Sequence, residues 1–96
     1  MQLYARQGDL VFERAAVNGE LVKRRGLVLA GATSAAHTVD GEVLARQDGQ
    51  RTFLRVPEAV SVVHAGRHLP ITLQPGDYEV RPLRERGDRG DRAVED

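Results

Sequence analysis

The sequence predicts an all-β domain, a small barrel or a two-layer sandwich of short antiparallel strands, followed by a charged flexible tail. Three observations carry this reading. Turn dipeptides recur at strand-length intervals, the runs between them alternate apolar and polar residues, and no window sustains an amphipathic helical period over three turns without glycine, proline or β-branched interruption.

The turns are the strongest signal. Asn18-Gly19, Asp40-Gly41 and Asp48-Gly49 each suit the centre of a type I′ hairpin turn, where both residues need positive φ. Gln74-Pro75-Gly76-Asp77 reads as a type II turn, with proline presetting φ and Gly76 tolerating a positive value. Strands are then expected over 9–17, 20–24, 26–30, 37–39, 42–46, 51–56, 59–64, 71–73 and 78–83. Leu10 and Phe12 share one face of the first, with Asp9, Val11 and Glu13 on the other. In the last, Tyr78 and Val80 oppose Asp77, Glu79 and Arg81. One side of such a sheet is core and the other is wet.

Residues 1–83 therefore form the β domain. Residues 84–96 contain nine charged residues, two glycines and almost nothing to bury, the composition of a flexible tail. Arg86-Gly87-Asp88 and Arg89-Gly90-Asp91 repeat a tripeptide known from matrix proteins, but in this context they read as part of a solvated terminus.

Composition narrows the function classes. The 14 Lys plus Arg balance 14 Asp plus Glu, which removes the simple electrostatic case for nucleic acid or an anionic membrane surface. Cysteine is absent, so thiolate chemistry and cysteine-ligated zinc are excluded. The longest apolar stretch, 27–32, falls far short of the roughly 20 residues of a spanning helix. Residues 1–6 lack a basic leader and apolar run, so a cytoplasmic or virion-associated protein is expected.

Few residues are placed to carry chemistry. His37, His64 and His68 are the candidate ligands for a divalent metal, if the fold gathers them. The competing reading puts His64 on the strand face of Val60 and Val62 as a hydrogen-bonded, partly buried residue. Ser34, His37 and Asp40 have the residue types of a nucleophile, a base and an orienting acid, but their three-residue spacing equally suits a loop entering a turn, so no catalytic residue is assigned. Lys23-Arg24-Arg25 is the one dense basic cluster and the candidate binding patch. It lacks flanking aromatics for base stacking, and no glycine spacing suits a phosphate-cradling loop.

Three segments carry a family resemblance. They are Gln7-Gly8-Asp9-Leu10-Val11-Phe12, Thr33-Ser34-Ala35-Ala36-His37, and the run from His68-Leu69-Pro70-Ile71 through Pro75-Gly76-Asp77-Tyr78-Glu79-Val80. Together they resemble a family of small, largely uncharacterised β-rich proteins of bacteria and phages. Its members share a Gln-Gly-Asp strand start, a central Thr-Gly-His-Ala-His segment and a closing histidine, Pro-Ile, Leu, Pro-Gly, Tyr-x-Val pattern. The family's glycine and first central histidine correspond to Ser34 and Ala35, so only His37 of that pair is kept. The resemblance implies the β scaffold and no settled activity.

The sequence thus favours a non-enzymatic assembly or binding module, such as a phage or bacterial structural component. The alternative is a histidine-dependent metal-binding protein or cupin-like enzyme. A core of about eighty residues with only four aromatics and no disulfide is marginal alone, which predicts a homo-oligomer. The run Ala59-Val60-Ser61-Val62-Val63, apolar on both faces with only Glu58 and His64 flanking it, is the candidate for a weakly guarded edge, the alternative being burial of both faces in a closed barrel.

Overall fold

Two glycine turns help to build the largest of the three sheets. In the computed structural model, which describes residues 2–30, 36–64, 68–87 and 90–93, β1 (Gln2–Gln7) returns as β2 (Leu10–Arg14) through Gly8-Asp9. In the same way β6 (Glu42–Asp48) returns as β7 (Arg51–Val56) through Gly49-Gln50. Gly8 and Gly49 have φ of 56° and 63°, and no described non-glycine residue has positive φ. Positive φ at the first central position alone is the type II′ pattern, not the expected type I′. Asp48 accordingly lies in the ladder opposite Arg51 instead of entering the turn.

The other two Asx-Gly pairs are not hairpins. After Asn18-Gly19 the chain enters β3 (Val22–Arg25) at the far edge of the sheet from β2. Asp40-Gly41 leads from β5 (Ala36–Asp40) in one sheet to β6 in the other. Gly41 (φ 143°) packs so closely that a Cβ there would lie 2.6 Å from Val60 Cγ1. Sequence cannot separate such a corner from a hairpin, because the difference lies in which distant strand pairs next.

The larger sheet has the order β1-β2-β10-β7-β6-β3, with β10 at Gly76–Pro82. The smaller is β4-β5-β8-β9, where β4 is Val28–Ala30, β8 is Val60–His64 and β9 is His68–Leu73. All these pairs are antiparallel. One core joins both sheets, with Leu10, Phe12, Leu54 and Tyr78 from the larger and Leu29, Val39, Val62 and Leu73 from the smaller. The fold is the two-layer alternative, not closed into a barrel. β8 lies between β5 and β9, so the run 59–63 is an interior strand and not the expected edge. In the segment expected as a tail, β11 (Arg84–Gly87) and β12 (Gly90–Ala93) pair with each other in a sheet of their own.

Side chains join the layers along the β1 and β9 edges. The Tyr4 hydroxyl donates to Thr72 O and accepts from Gln74 N, both at 3.2 Å. Tyr4 meets Tyr78 edge to face at 5.1 Å, and the Tyr78 hydroxyl donates to Gln74 O. The Arg14 guanidinium lies 4.8 and 4.5 Å from these two ring centroids and donates to Pro75 O at 3.1 Å. Gly76 makes room for it. Its φ of 144° belongs to the start of β10 and not to the expected type II turn, and a Cβ there would lie 2.0 Å from Arg14 Nη1.

Replacing Gly76 with Val should strain the backbone and displace Arg14 from the two tyrosines, lowering stability by about 1 kcal/mol or more. An unchanged urea midpoint would contradict this packing. Tyr78 predicts an alkaline limb. Burial, reinforced by hydrogen bonding and charge from Tyr4, pushes its hydroxyl up to about 12 from the ordinary 10.0. The native state therefore keeps a proton that the unfolded chain loses, so this contribution is intact below the ordinary value and disappears as pH rises toward 12. Urea midpoints measured across that range should fall less steeply in Tyr78→Phe than in the parent.

Candidate functional site

Alternation along two neighbouring strands points histidines into the core. In β5, His37 and Val39 face inward, and in β8 so do Val60, Val62 and His64. His37 is directly opposite His64 in the ladder, and the rings stack with centroids 4.0 Å apart and planes 22° from parallel. Both are sealed from solvent, at 0% and 2% exposure.

The partners of His37 come from the other sheet. Between Val62↔Ile71 and His64↔His68, β9 carries one residue more than β8, a bulge holding Leu69 and Pro70, and proline has no N–H to lose from the ladder. Gln7, at the end of β1, uses Nε2 to donate to Val62 O (2.8 Å) and Leu69 O (3.1 Å). Both amide hydrogens are then committed, so Oε1 is the atom facing His37 Nδ1 at 2.9 Å. An amide oxygen only accepts, so Nδ1 carries a proton. On the opposite side of the ring, Nε2 lies 3.0 Å from Asp9 Oδ1, with neither side chain exposed, and a second proton occupies that bond.

Both ring nitrogens of His37 are thereby spent. The group has the Asp–His contact of a catalytic dyad but no lone pair left to receive a proton from a nucleophile or to bind a metal. What it does is join layers: Gln7 precedes and Asp9 lies in a turn of the larger sheet, while Val62, Leu69 and His37, to which their side chains bond, belong to the smaller.

Of the expected ligands, His37 and His64 come together. The backbone of His68 is opposite His64, while its side chain lies outside the described residues. Among the described residues no three His, Cys, Asp or Glu side chains are grouped to hold a metal ion. Ser34 also lies outside the described residues, and Asp40 is exposed at the sheet corner while Asp9 is the acid that reaches His37. Lys23, Arg24 and Arg25 lie on the exposed edge strand β3. Lys23 and Arg25 approach Glu42 at 3.9 and 3.8 Å on the outer face, whereas Arg24, opposite buried Val43, is on the inner one. Sequence reasoning missed Gln7 and Asp9, whose signal was the Gln-Gly-Asp motif of the resemblance.

Fold and site together define a small antiparallel β-sandwich domain whose layers meet at a buried Gln–His–Asp network. The chain belongs to the family of domains of unknown function DUF8820, whose model matches residues 6–82, from the end of β1 to the end of β10. No curated protein and no solved structure matches it.

Truncating one member of the network leaves its partner buried and uncompensated. His37→Leu or Asp9→Leu should each cost about 3–5 kcal/mol, and the double variant should cost clearly less than the sum. Additive losses in urea titrations would show that the two side chains do not act as a pair.

Proposed function

We propose that this domain is a non-enzymatic assembly module that packs on a second copy through the outer face of its four-stranded sheet. The observation that carries the proposal is a contrast between the outer faces. On the larger sheet the outer face is laced with ion pairs: Arg81–Glu13 at 2.8 Å, Arg51–Glu79 at 3.6 Å and Arg55–Asp77 at 3.0 Å. The Arg55 hydrogen bond holds the Asp77 carboxyl below the usual carboxylate range. On the smaller sheet, Val28, Thr38 and Val63 form a cross-strand row, with Val28 and Val63 53% and 39% exposed. Asp40 is the one charged residue on that face among the described residues.

An uncharged β-branched row repeated on a symmetry mate buries apolar area without stranding charge, and a small domain gains most from such cover. The engagement of both His37 ring nitrogens supports a structural role over chemistry. The resemblance to bacterial and phage proteins supports a structural component as the setting. The metal reading has the stacked His37–His64 pair in its favour. A stoichiometric complement of zinc, iron or manganese that survives dialysis and is lost in His64→Ala would decide for it.

Light scattering coupled to size exclusion at micromolar concentration should give a defined multiple of 10.6 kDa. Val63→Lys should return the single-chain mass with an unchanged circular dichroism spectrum. A single-chain mass for the parent protein would refute the proposal.

A further inference from the structure

The two sheets differ in width, and the difference leaves one side of the sandwich open. Val22 and Arg24 of β3 are opposite Ala45 and Val43, both buried, so they belong to the inner face of the larger sheet. Yet every residue of β3 is exposed, Val22 to 54%, because the four-stranded sheet does not extend across it. β3 ends the larger sheet and β4 the smaller, and they are consecutive in the chain, joined by the tight bend at Gly26 (φ 68°). Beside that bend is a groove of about 540 Å³, lined by Val22, Arg24, Arg25, Leu27, Val28 and Ala45, with Arg46 adding a third guanidinium and Glu20 the one carboxylate.

We infer that this groove is a docking site for an extended acidic peptide segment of another protein, which adds as a strand to the free edge of β3. Three features select that occupant. Among the described residues no strand pairs with the outer edge of β3, so alternate backbone N–H and C=O groups are offered to an incoming strand. Val22 and Val28 supply apolar contact for alternate side chains of the peptide. Of the three guanidiniums lining the groove, Arg25 also approaches Glu42 and Arg46 also donates to Asn18 O, which leaves Arg24 as the guanidinium that leads in attracting carboxylates, with Glu20 the one acid of the lining. A second copy is disfavoured at this edge, since antiparallel pairing of two β3 strands would set Lys23-Arg24-Arg25 against itself. A nucleic acid strand is disfavoured because the groove lining contains no aromatic ring on which bases could stack. The site borders the proposed self-association face and shares Val28 with it, whereas Val22 and Arg24 belong to the groove alone and Val63, the centre of that face, lies outside it.

Fluorescence anisotropy with a labelled peptide of alternating Glu and Val tests the assignment, with an alternating Lys and Val peptide and an oligothymidylate as the other probes. The acidic peptide should bind saturably and more weakly as salt rises. Arg24→Glu and Val22→Asp should each weaken it roughly tenfold or more, whereas Val63→Lys should leave it unchanged. The Lys peptide and the oligothymidylate should bind more weakly than the acidic peptide. Light scattering on Arg24→Glu should give the mass of the parent protein, which separates this site from the assembly face. Absence of acidic-peptide binding, full binding by both β3 variants, or tighter binding of the oligothymidylate would overturn the inference.

Discussion

The Gln7–His37–Asp9 network is the constraint on which the arrangement of the two sheets depends. A carboxylate and an imidazole with no solvent exposure are tolerable only as partners, so the turn after β1 and the inner face of β5 must come together in one register. A slip of one residue in β5 would turn His37 outward and leave Asp9 buried alone. The network also commits the bulge in β9, since the Leu69 carbonyl and the Val62 carbonyl opposite the bulge are the two acceptors that fix the Gln7 amide. Such a group contributes more to a unique arrangement of layers than to net stability, because its desolvation cost offsets much of its attraction.

From that anchored end the sandwich is asymmetric. Along β1 and β9 the layers are joined by Tyr4, Gln7 and the stack of Arg14 on two tyrosines. Along β3, among the described residues, no second layer covers the inner face. The outer faces differ too, one carrying ion pairs and the other a bare β-branched row. With the histidines sealed, these surfaces are where the domain meets other molecules in our reading. The two proposed contacts use different physics, uncharged burial on the smaller sheet and charge-selected strand addition at β3.

Much of the fold was legible because local rules and the final structure agree. The run 51–56 is a strand with the expected bounds, and the inward alternation of Val60, Val62 and His64 follows from period two. β1 escaped notice because a register shift between Leu3 and Ala5 breaks that period at an edge. The turn readings failed where pairing is nonlocal, as β2 pairs with β10 and not with β3. Asp9 was hidden for a related reason. Extending the alternation of β2 back to residue 9 puts it with Val11 and Glu13 on the wet face, but Asp9 is in the turn, where strand periodicity has ended and the side chain is free to point into the core.

The central claim is that both ring nitrogens of His37 are committed to buried hydrogen bonds, with Nδ1 the donor to Gln7, and nitrogen-15 NMR of the imidazole reads this most directly. The structure requires Nδ1 to remain protonated through neutral pH, with its proton exchanging slowly with water and coupled across the hydrogen bond to Gln7. An Nδ1 signal of an unprotonated or metal-bound nitrogen, or a proton in rapid exchange, would contradict the account and return His37 to the pool of residues available for chemistry.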